Sequence, residues 1–287
     1  MNVLRGEISV MTTQKKIKEL ELKANSIRQN IIKMISAAGS GHPGGSLGLA
    51  DILTVLYFHK MNINPKKPNS PSRDYLVLSH GHTCPALYAT MAERGFFPKK
   101  ELMKLRKLNS RIQGHPHREI LPGLETTSGP LGSGLSQSVG IALGLKADSK
   151  KNMVYCLTSD GEHDEGNTWE AIMLANKYKL GNLVNIVDCN KIQLSGDTAD
   201  IMPLGSLKQK YLAFGWGVLE IDGNEMWEII HALETKHPNR PLAIIANTTP
   251  GKGVFFMENK YEWHGKAPNE EETKRALSEL EDVRRLI

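Results

Sequence analysis

The sequence is poor in cysteine, poor in aromatic residues and without a long apolar run. Its 287 residues hold three cysteines, Cys84, Cys156 and Cys189, none of them in a C-x-x-C pair. So sparse and odd a set excludes a disulfide framework and suits a reducing compartment, hence a cytoplasmic location. No apolar stretch approaches the roughly 20 residues that a membrane helix needs, and the first residues carry no signal-peptide core, so no membrane role is expected. Charge of one sign is also lacking. The 36 basic and 31 acidic residues leave a net charge of +5, spread along the chain. That is a weak pull toward anions and argues against nucleic acid as a partner. No repeat, low-complexity tract or domain-dividing linker is visible.

What remains is an ordinary globular composition, 40% hydrophobic and 23% charged, on a chain long enough for one large α/β domain. Residues 1–12 read as a loose leader, with Met11 an alternative start, and 13–287 as the domain. Leu20, Ala24, Ile27, Ile31 and Ile35 recur at helical spacing and predict a helix over 13–38. The turn G-S-G-H-P-G-G halts it, and Ser46 is expected to cap a second helix over 47–60. Strands at 75–78, 153–158, 183–188, 217–221 and 242–247 alternate with helices near 85–93, 99–109, 134–147, 205–213, 225–236 and 270–285. Residues 191–205 read as a polar connection. The alternation predicts an α/β fold with a mostly parallel sheet and helices on both faces, binding ligands at the carboxyl ends of its strands.

One stretch organises the rest. From Cys156 the chain reads C-L-T-S-D-G-E-H-D-E-G-N, then a helical segment, then an apolar run ending at Asp188-Cys189-Asn190. This is a βαβ unit. Its crossover is right-handed, so the two strands lie side by side, about 5 Å apart, and end on one edge. Asp160 and Asn190 can then direct oxygens at one small ion. Carboxylate and amide oxygen suit magnesium bound together with a phosphate. Gly161 lets a backbone N–H approach that phosphate. The plainer alternative is that S-D-G and Asn190 are strand-ending turns, and the residues alone do not choose between the two.

Four histidines lie in glycine-flanked loops: His42 in G-H-P-G, His82 in H-G-H, His115 in G-H-P and His264 in W-H-G. Imidazoles bind phosphate or sugar hydroxyls and move protons near neutral pH. Their spacing matches no zinc site. Glu165 and Glu170 open the helix of the βαβ unit, where an acidic side chain adds about 0.3–1 kcal/mol to a helix N-terminus. Glu162 and Asp164 read the same way. The T-P-G-K-G loop at 249–253 suits phosphate without matching a P-loop. The aromatic residues within 255–263 read as packing.

Taken in order, G-H-P-G, G-H, G-P-L-G, the D-G…N spacing and T-P-G-K-G resemble transketolase, and specifically its amino-terminal, diphosphate-binding half. The resemblance covers roughly residues 15–285. It implies a thiamin diphosphate-binding fold, with thiamine diphosphate and magnesium (or calcium or manganese) as cofactors. It further implies that Asp160, Asn190 and the carbonyl of Ile192 hold the metal, that Gly161 meets the diphosphate, and that His82 and His264 contact phosphate. His42, His115 and His264 fall around the reacting carbon and sugar hydroxyls, Gly129 and Leu131 along the aminopyrimidine, and Glu165 and Glu170 at a subunit interface. The family's pyrimidine-binding and carboxy-terminal domains are not in this sequence. The expectation is therefore the first subunit of a split transketolase, working with a C-terminal transketolase subunit in a heterotetramer on sugar phosphates. The activity implied is transfer of a two-carbon ketol unit from a ketose phosphate to an aldose phosphate. Alternatives are a relative acting on a branched or sulfonated sugar, a 2-oxoacid dehydrogenase α-type subunit, or a non-catalytic assembly subunit. Ser159 and Ser133 depart from the family's glycine and glutamine, and the loop before His264 differs too.

Overall fold

Five parallel strands form the sheet of the computed structural model, which describes the backbone of residues 2–287 and the side chains from residue 14 onward. In chain order the strands are β1 (Tyr75–Leu78), β2 (Val154–Ser159), β3 (Leu183–Cys189), the short antiparallel pair β4 (Ile192–Gln193) and β5 (Gly196–Asp197), β6 (Gly217–Asp222) and β7 (Leu242–Asn247). The main sheet runs β1-β2-β3-β7-β6, every neighbouring pair parallel. β3 is buried along its whole length and β2 along all but Ser159. Strands covered on both faces read as continuous apolar runs, which is why these two were legible.

One face carries α1 (Asn2–Ala38), α2 (Pro43–Gly48), α3 (Ala50–Val55), α4 (Cys84–Arg94), α9 (Met226–Glu234) and α10 (Glu270–Leu286); the other carries α5 (Ser133–Ala147), α6 (Gly166–Lys177) and α8 (Leu207–Ala213). The single turn α7 (Thr198–Ile201) lies in the connection after β5. The split follows from right-handed crossovers. β2-α6-β3 and β3-α8-β6 advance across the sheet and put their helices on one face. β6-α9-β7 steps back and puts its helix on the other. The chain therefore leaves β1 and β7 toward one face and β2 and β3 toward the opposite one. The carboxyl ends of β2 and β3 sit in the crevice that these divergent exits open, where open α/β sheets bind ligands.

Several boundaries differ from the sequence reading. α1 is drawn from Asn2 rather than from 13; the side chains of residues 1–13 lie outside the described set, and so does the reading of 1–12 as a loose leader. The second helix begins at Pro43, with His42 as its N-cap, and breaks into α2, α3 and a π-helical turn at Leu56–Lys60. Ser46 is inside α2 and caps nothing: its hydroxyl donates to the His42 carbonyl at 2.6 Å. Proline at a first helical position is the signal that the glycine-rich reading overrode. The helix expected near 99–109 is a 3-10 segment, Lys99–Lys104. The polar connection at 191–205 contains β4, β5 and α7.

Helix α5 meets the end of β1 at Gly134, where an added Cβ would stand 2.4 Å from the Ser79 side chain and 2.6 Å from its Cα. Overpacking of this kind costs about 1–3 kcal/mol. Gly134→Ala should lower the urea midpoint by that amount with the slope unchanged. Gly140→Ala, on the open side of the same helix, should not fall below wild type.

Candidate active site

The register of β2 on β3 pairs Ser159 with Asp188 and sets the residues after each strand side by side. The Asp160 N–H donates to the Asp188 carbonyl at 3.0 Å. The Asp160 carboxylate is 5% exposed and accepts from the N–H groups of Gly161 and Lys191, both at 2.8 Å. Asn190 donates its amide N–H to Asp188 Oδ2 at 3.0 Å, and its Oδ1 accepts from the Ile192 N–H at 3.1 Å. The other Asp188 oxygen takes the Thr248 hydroxyl. Among the described residues no lysine or arginine pairs with either carboxylate. Burial pushes the Asp160 carboxyl up to about 6, and burial pushes Asp188 up to about 7, with the Asp160 charge adding to the rise. Two buried carboxylates without a cation are what a divalent ion relieves. Asp160, Asn190 and the backbone at Ile192 offer only hard oxygens, the donor set magnesium takes. A cavity of about 1030 Å³ opens beside them, with Asp160, Asn190, Ile192 and Thr248 in its wall. The Gly161 N–H, expected to meet a phosphate, is bonded here to Asp160 Oδ1.

Backbone contact between glycine loops gathers the histidines. The Gly251 N–H donates to the Gly44 carbonyl at 2.9 Å. A Cβ on Gly44 would lie 3.1 Å from the Trp263 carbonyl, and one on Gly48 3.0 Å from that of Thr249. The G-H-P-G turn thus rests directly on the T-P-G-K-G and W-H-G loops. Ring centroids follow: His42 to His82 at 4.9 Å, His42 to His264 at 5.7 Å, His82 to His264 at 5.4 Å. His80, the first residue of the H-G-H loop and not among the candidates, adds a fourth ring 5.9 Å from His82. His115 is exposed, but its Cδ2 lies 3.1 Å from where a Gly81 Cβ would be, so it reaches the same loop cluster. The loop carrying Gly129 and Leu131 is tied down at both ends. Ser128 N–H donates to the Pro116 carbonyl at 3.1 Å, and Gly132 N–H to Glu162 Oε1 at 2.6 Å.

Burial depresses the imidazoles, His42 to about 4 and His80 to about 3; His82, His115 and His264 are lowered by the same cause. The cluster is neutral at pH 7, and each ring has one donor and one acceptor nitrogen. Nδ1 of His42, Nδ1 of His264 and Nε2 of His80 are buried without a partner among the described residues. Buried polar atoms are normally paired, so these three are set for a ligand.

Sequence reasoning misread the acidic run after Asp160. Glu162 is fully buried and accepts from Ser79 Oγ, Gly132 N and Ser159 N, so it clamps three segments rather than capping a helix. Ser159 is not among the positive-φ residues, and its hydroxyl accepts from the Glu162 N–H at 3.3 Å. The serine therefore fits where the family has glycine. Glu165 is the N-cap residue of α6 without a capping hydrogen bond, and Glu170 lies beyond the first turn. Both are exposed. Trp263 is buried against Phe256, as packing requires.

Fold and site together define a domain of the open α/β class with a ligand crevice at the carboxyl ends of its strands. The comparisons narrow the class. Residues 20–281 match the family model described as transketolase, thiamine diphosphate binding domain, and the chain belongs to that family. It is 42% identical over 266 residues to an apulose-4-phosphate transketolase subunit of Actinobacillus succinogenes, covering 92% of this chain and 96% of that one. It is equally 42% identical, over 265 residues, to the 6-deoxy-6-sulfo-D-fructose transketolase subunit SqwG of a Clostridium species, covering 92% and 96%. The crystal structure of transketolase from Campylobacter jejuni superposes with a TM-score of 0.85 at 37% identity, over 91% of this chain and 42% of that one. The chain thus spans less than half of that transketolase and nearly all of the two subunits, and it is of the amino-terminal transketolase type.

Depressed imidazoles make stability fall on the acid side. The unfolded chain takes up protons as pH drops through about 6.5, before the folded rings do, so the imidazole contribution to stability falls toward pH 4, while the raised carboxyls of Asp160 and Asp188 act in the opposite sense. The C2 proton resonance of His80 should not move between pH 7.5 and 5. A titration midpoint near 6.5 would contradict its burial in a neutral cluster.

Proposed function

We propose that this chain is the cofactor-anchoring subunit of a two-subunit transketolase, which moves a two-carbon ketol unit from a ketose phosphate to an aldose phosphate. The observation that carries it is the buried, cation-free Asp160–Asn190 pair beside a neutral imidazole cluster on the same sheet edge. Asp160, Asn190 and the Ile192 carbonyl would hold magnesium, and the Gly161 turn would meet the diphosphate. When bound, thiamine diphosphate supplies the nucleophilic carbon and the electron sink for carbon–carbon cleavage. His42, His115 and His264 bind sugar hydroxyls and pass protons to and from them, which neutral rings near pH 7 do well. His82 meets phosphate, and Gly129 and Leu131 border the aminopyrimidine. The subunit names of the relatives support a companion chain; in this proposal that companion carries the pyrimidine-binding domain, two copies of each form the assembly, and the assembly is cytoplasmic. Those names also support a branched or sulfonated sugar as substrate in place of an unmodified pentose phosphate.

An unpartnered surface suits that companion. Gly140 and Gly144 of α5 have nothing within 4 Å of an added Cβ, and Met173 and Leu174 of α6 are 51% and 41% exposed. Glu165 and Glu170 lie along the same helix α6. Small residues beside large apolar ones admit a close-packed helix.

Three outcomes follow. The purified chain alone should show no ketol transfer, and addition of the companion should restore it; full turnover by the single chain would sink the two-subunit reading. Asp160→Ala should weaken magnesium and thiamine diphosphate binding together, read by calorimetric titration. Gly140→Trp should leave the chain's thermal melt near wild type while abolishing co-elution with the companion on gel filtration.

A further inference from the structure

His163 stands in the D-G-E-H run with no role in the readings above, yet it sits three residues after Asp160 and is 1% exposed. It lies in the 3-10 turn Gly161–Asp164. Its Nδ1 is 2.8 Å from the Ser159 carbonyl and its Nε2 2.9 Å from the Tyr211 hydroxyl on α8. Tyr211 oxygen accepts from Asn185 Nδ2 of β3 at 2.7 Å, and the same amide donates to Thr158 Oγ1 of β2 at 3.0 Å. The Trp169 indole of α6 donates to the His163 carbonyl at 2.9 Å. The rings of Trp169 and Tyr211 pack against the imidazole at centroid distances of 5.5 and 5.7 Å. All but Trp169 of these side chains are fully buried.

The chemistry of the partners fixes the direction of every bond. A carbonyl only accepts, so Nδ1 carries the hydrogen. Burial keeps the ring neutral, so Nε2 is a bare acceptor and Tyr211 must donate to it. The Tyr211 oxygen is then free to accept from Asn185. One imidazole thereby joins the peptide just before Asp160 to α8, whose Leu207 and Lys208 line the cavity beside Asp160 and Asn190. The polar chain is buried and ties the Ser159 carbonyl, and so the Asp160–Gly161 turn, to β3 and α8.

We propose that His163, held as its Nδ1–H tautomer by Tyr211 and Asn185, is a positioning residue that fixes the Ser159–Asp160–Gly161 turn for binding a metal ion and its diphosphate. The inference rests on the proposed cofactor role of Asp160. Supporting shells of this type change metal affinity by about 10–100-fold when altered. Two amides separate the functions of the ring. Asparagine keeps a donor where Nδ1 stands, and glutamine keeps a polar group only where Nε2 stands.

The test titrates magnesium and thiamine diphosphate into the assembled complex of this chain and its companion, by calorimetry, for wild type, Asp160→Ala, His163→Asn and His163→Gln. His163→Asn should bind within about threefold of wild type and His163→Gln about 10–100-fold more weakly, although both melt at a lower temperature. Equal affinities for the two amide variants, or losses that track melting temperature alone, overturn the inference while leaving the cofactor role intact. Unchanged binding by Asp160→Ala overturns the cofactor role and this inference with it. Long-range proton–nitrogen NMR of the histidine-labelled chain gives a reading independent of any ligand. It should find the hydrogen of His163 on Nδ1, and a hydrogen on Nε2 overturns the inference directly.

Discussion

Everything at this site depends on one register, that of β2 on β3. With Ser159 opposite Asp188, the two strands end together, and the next residues fall within one hydrogen bond of each other. A slip by one residue would turn every side chain of a strand to the opposite face and carry Asp160 away from Asn190. The register is enforced by burial on both sides. Val154, Cys156 and Val187 face one apolar layer, and Tyr155, Leu157 and Ile186 the other. The hydrophobic effect therefore sets the geometry of a charged site. The cost is borne locally, as two carboxylates buried beside each other with no lysine or arginine paired to either among the described residues.

The imidazole cluster is held by a different force. Its rings come from four separate loops, and among the described residues no carboxylate draws them together. Glycines do so, by letting main chains touch, Gly44 on Trp263 and Gly48 on Thr249, and by admitting the side chains of Ser128 and His115 against Gly81. Behind these loops the Arg28–Asp51 ion pair is buried, and Asn224 donates both to Asp51 at 2.8 Å and to the Gly48 carbonyl at 2.9 Å. Asn224 also accepts from Thr249 N–H at 2.7 Å, so the two glycine loops hang from one side chain. The result is a group of neutral rings with unsatisfied nitrogens, suited to hydroxyl and phosphate oxygens rather than to a metal.

The parts of this arrangement legible in the sequence were those with local signals. Apolar runs ending in S-D-G and D-C-N marked β2, β3 and the Asp160 and Asn190 that follow them. Glycine-flanked histidines marked the loops. What stayed hidden depended on distant partners. Glu162 and His163 stand in an acidic, polar stretch before a helix, and a helix N-terminus predicts the same composition. Only the approach of Ser79, Gly132 and Tyr211, each far away in sequence, makes them interior groups. Asp188 reads in the sequence only as the end of a strand. Proline at the start of α2 was a local signal, overridden by the surrounding glycines.

Neutral histidines and cation-poor carboxylates also explain why the site reads as half of a larger one. The described residues bring a cradle of two buried carboxylates and a set of weakly basic rings, and the charge of Arg106 reaches that cluster at His42 and His115. The exposed α5 and α6 surface carries glycines with nothing packed against them and two large apolar side chains, next to the exposed Glu165 and Glu170. In a folded domain such a face is expensive to leave wet. It borders the helix that begins right after the Asp160 turn, so a chain docking there would place its own groups at the open side of the cradle. Closure of the apolar face and completion of the site would then be a single binding event.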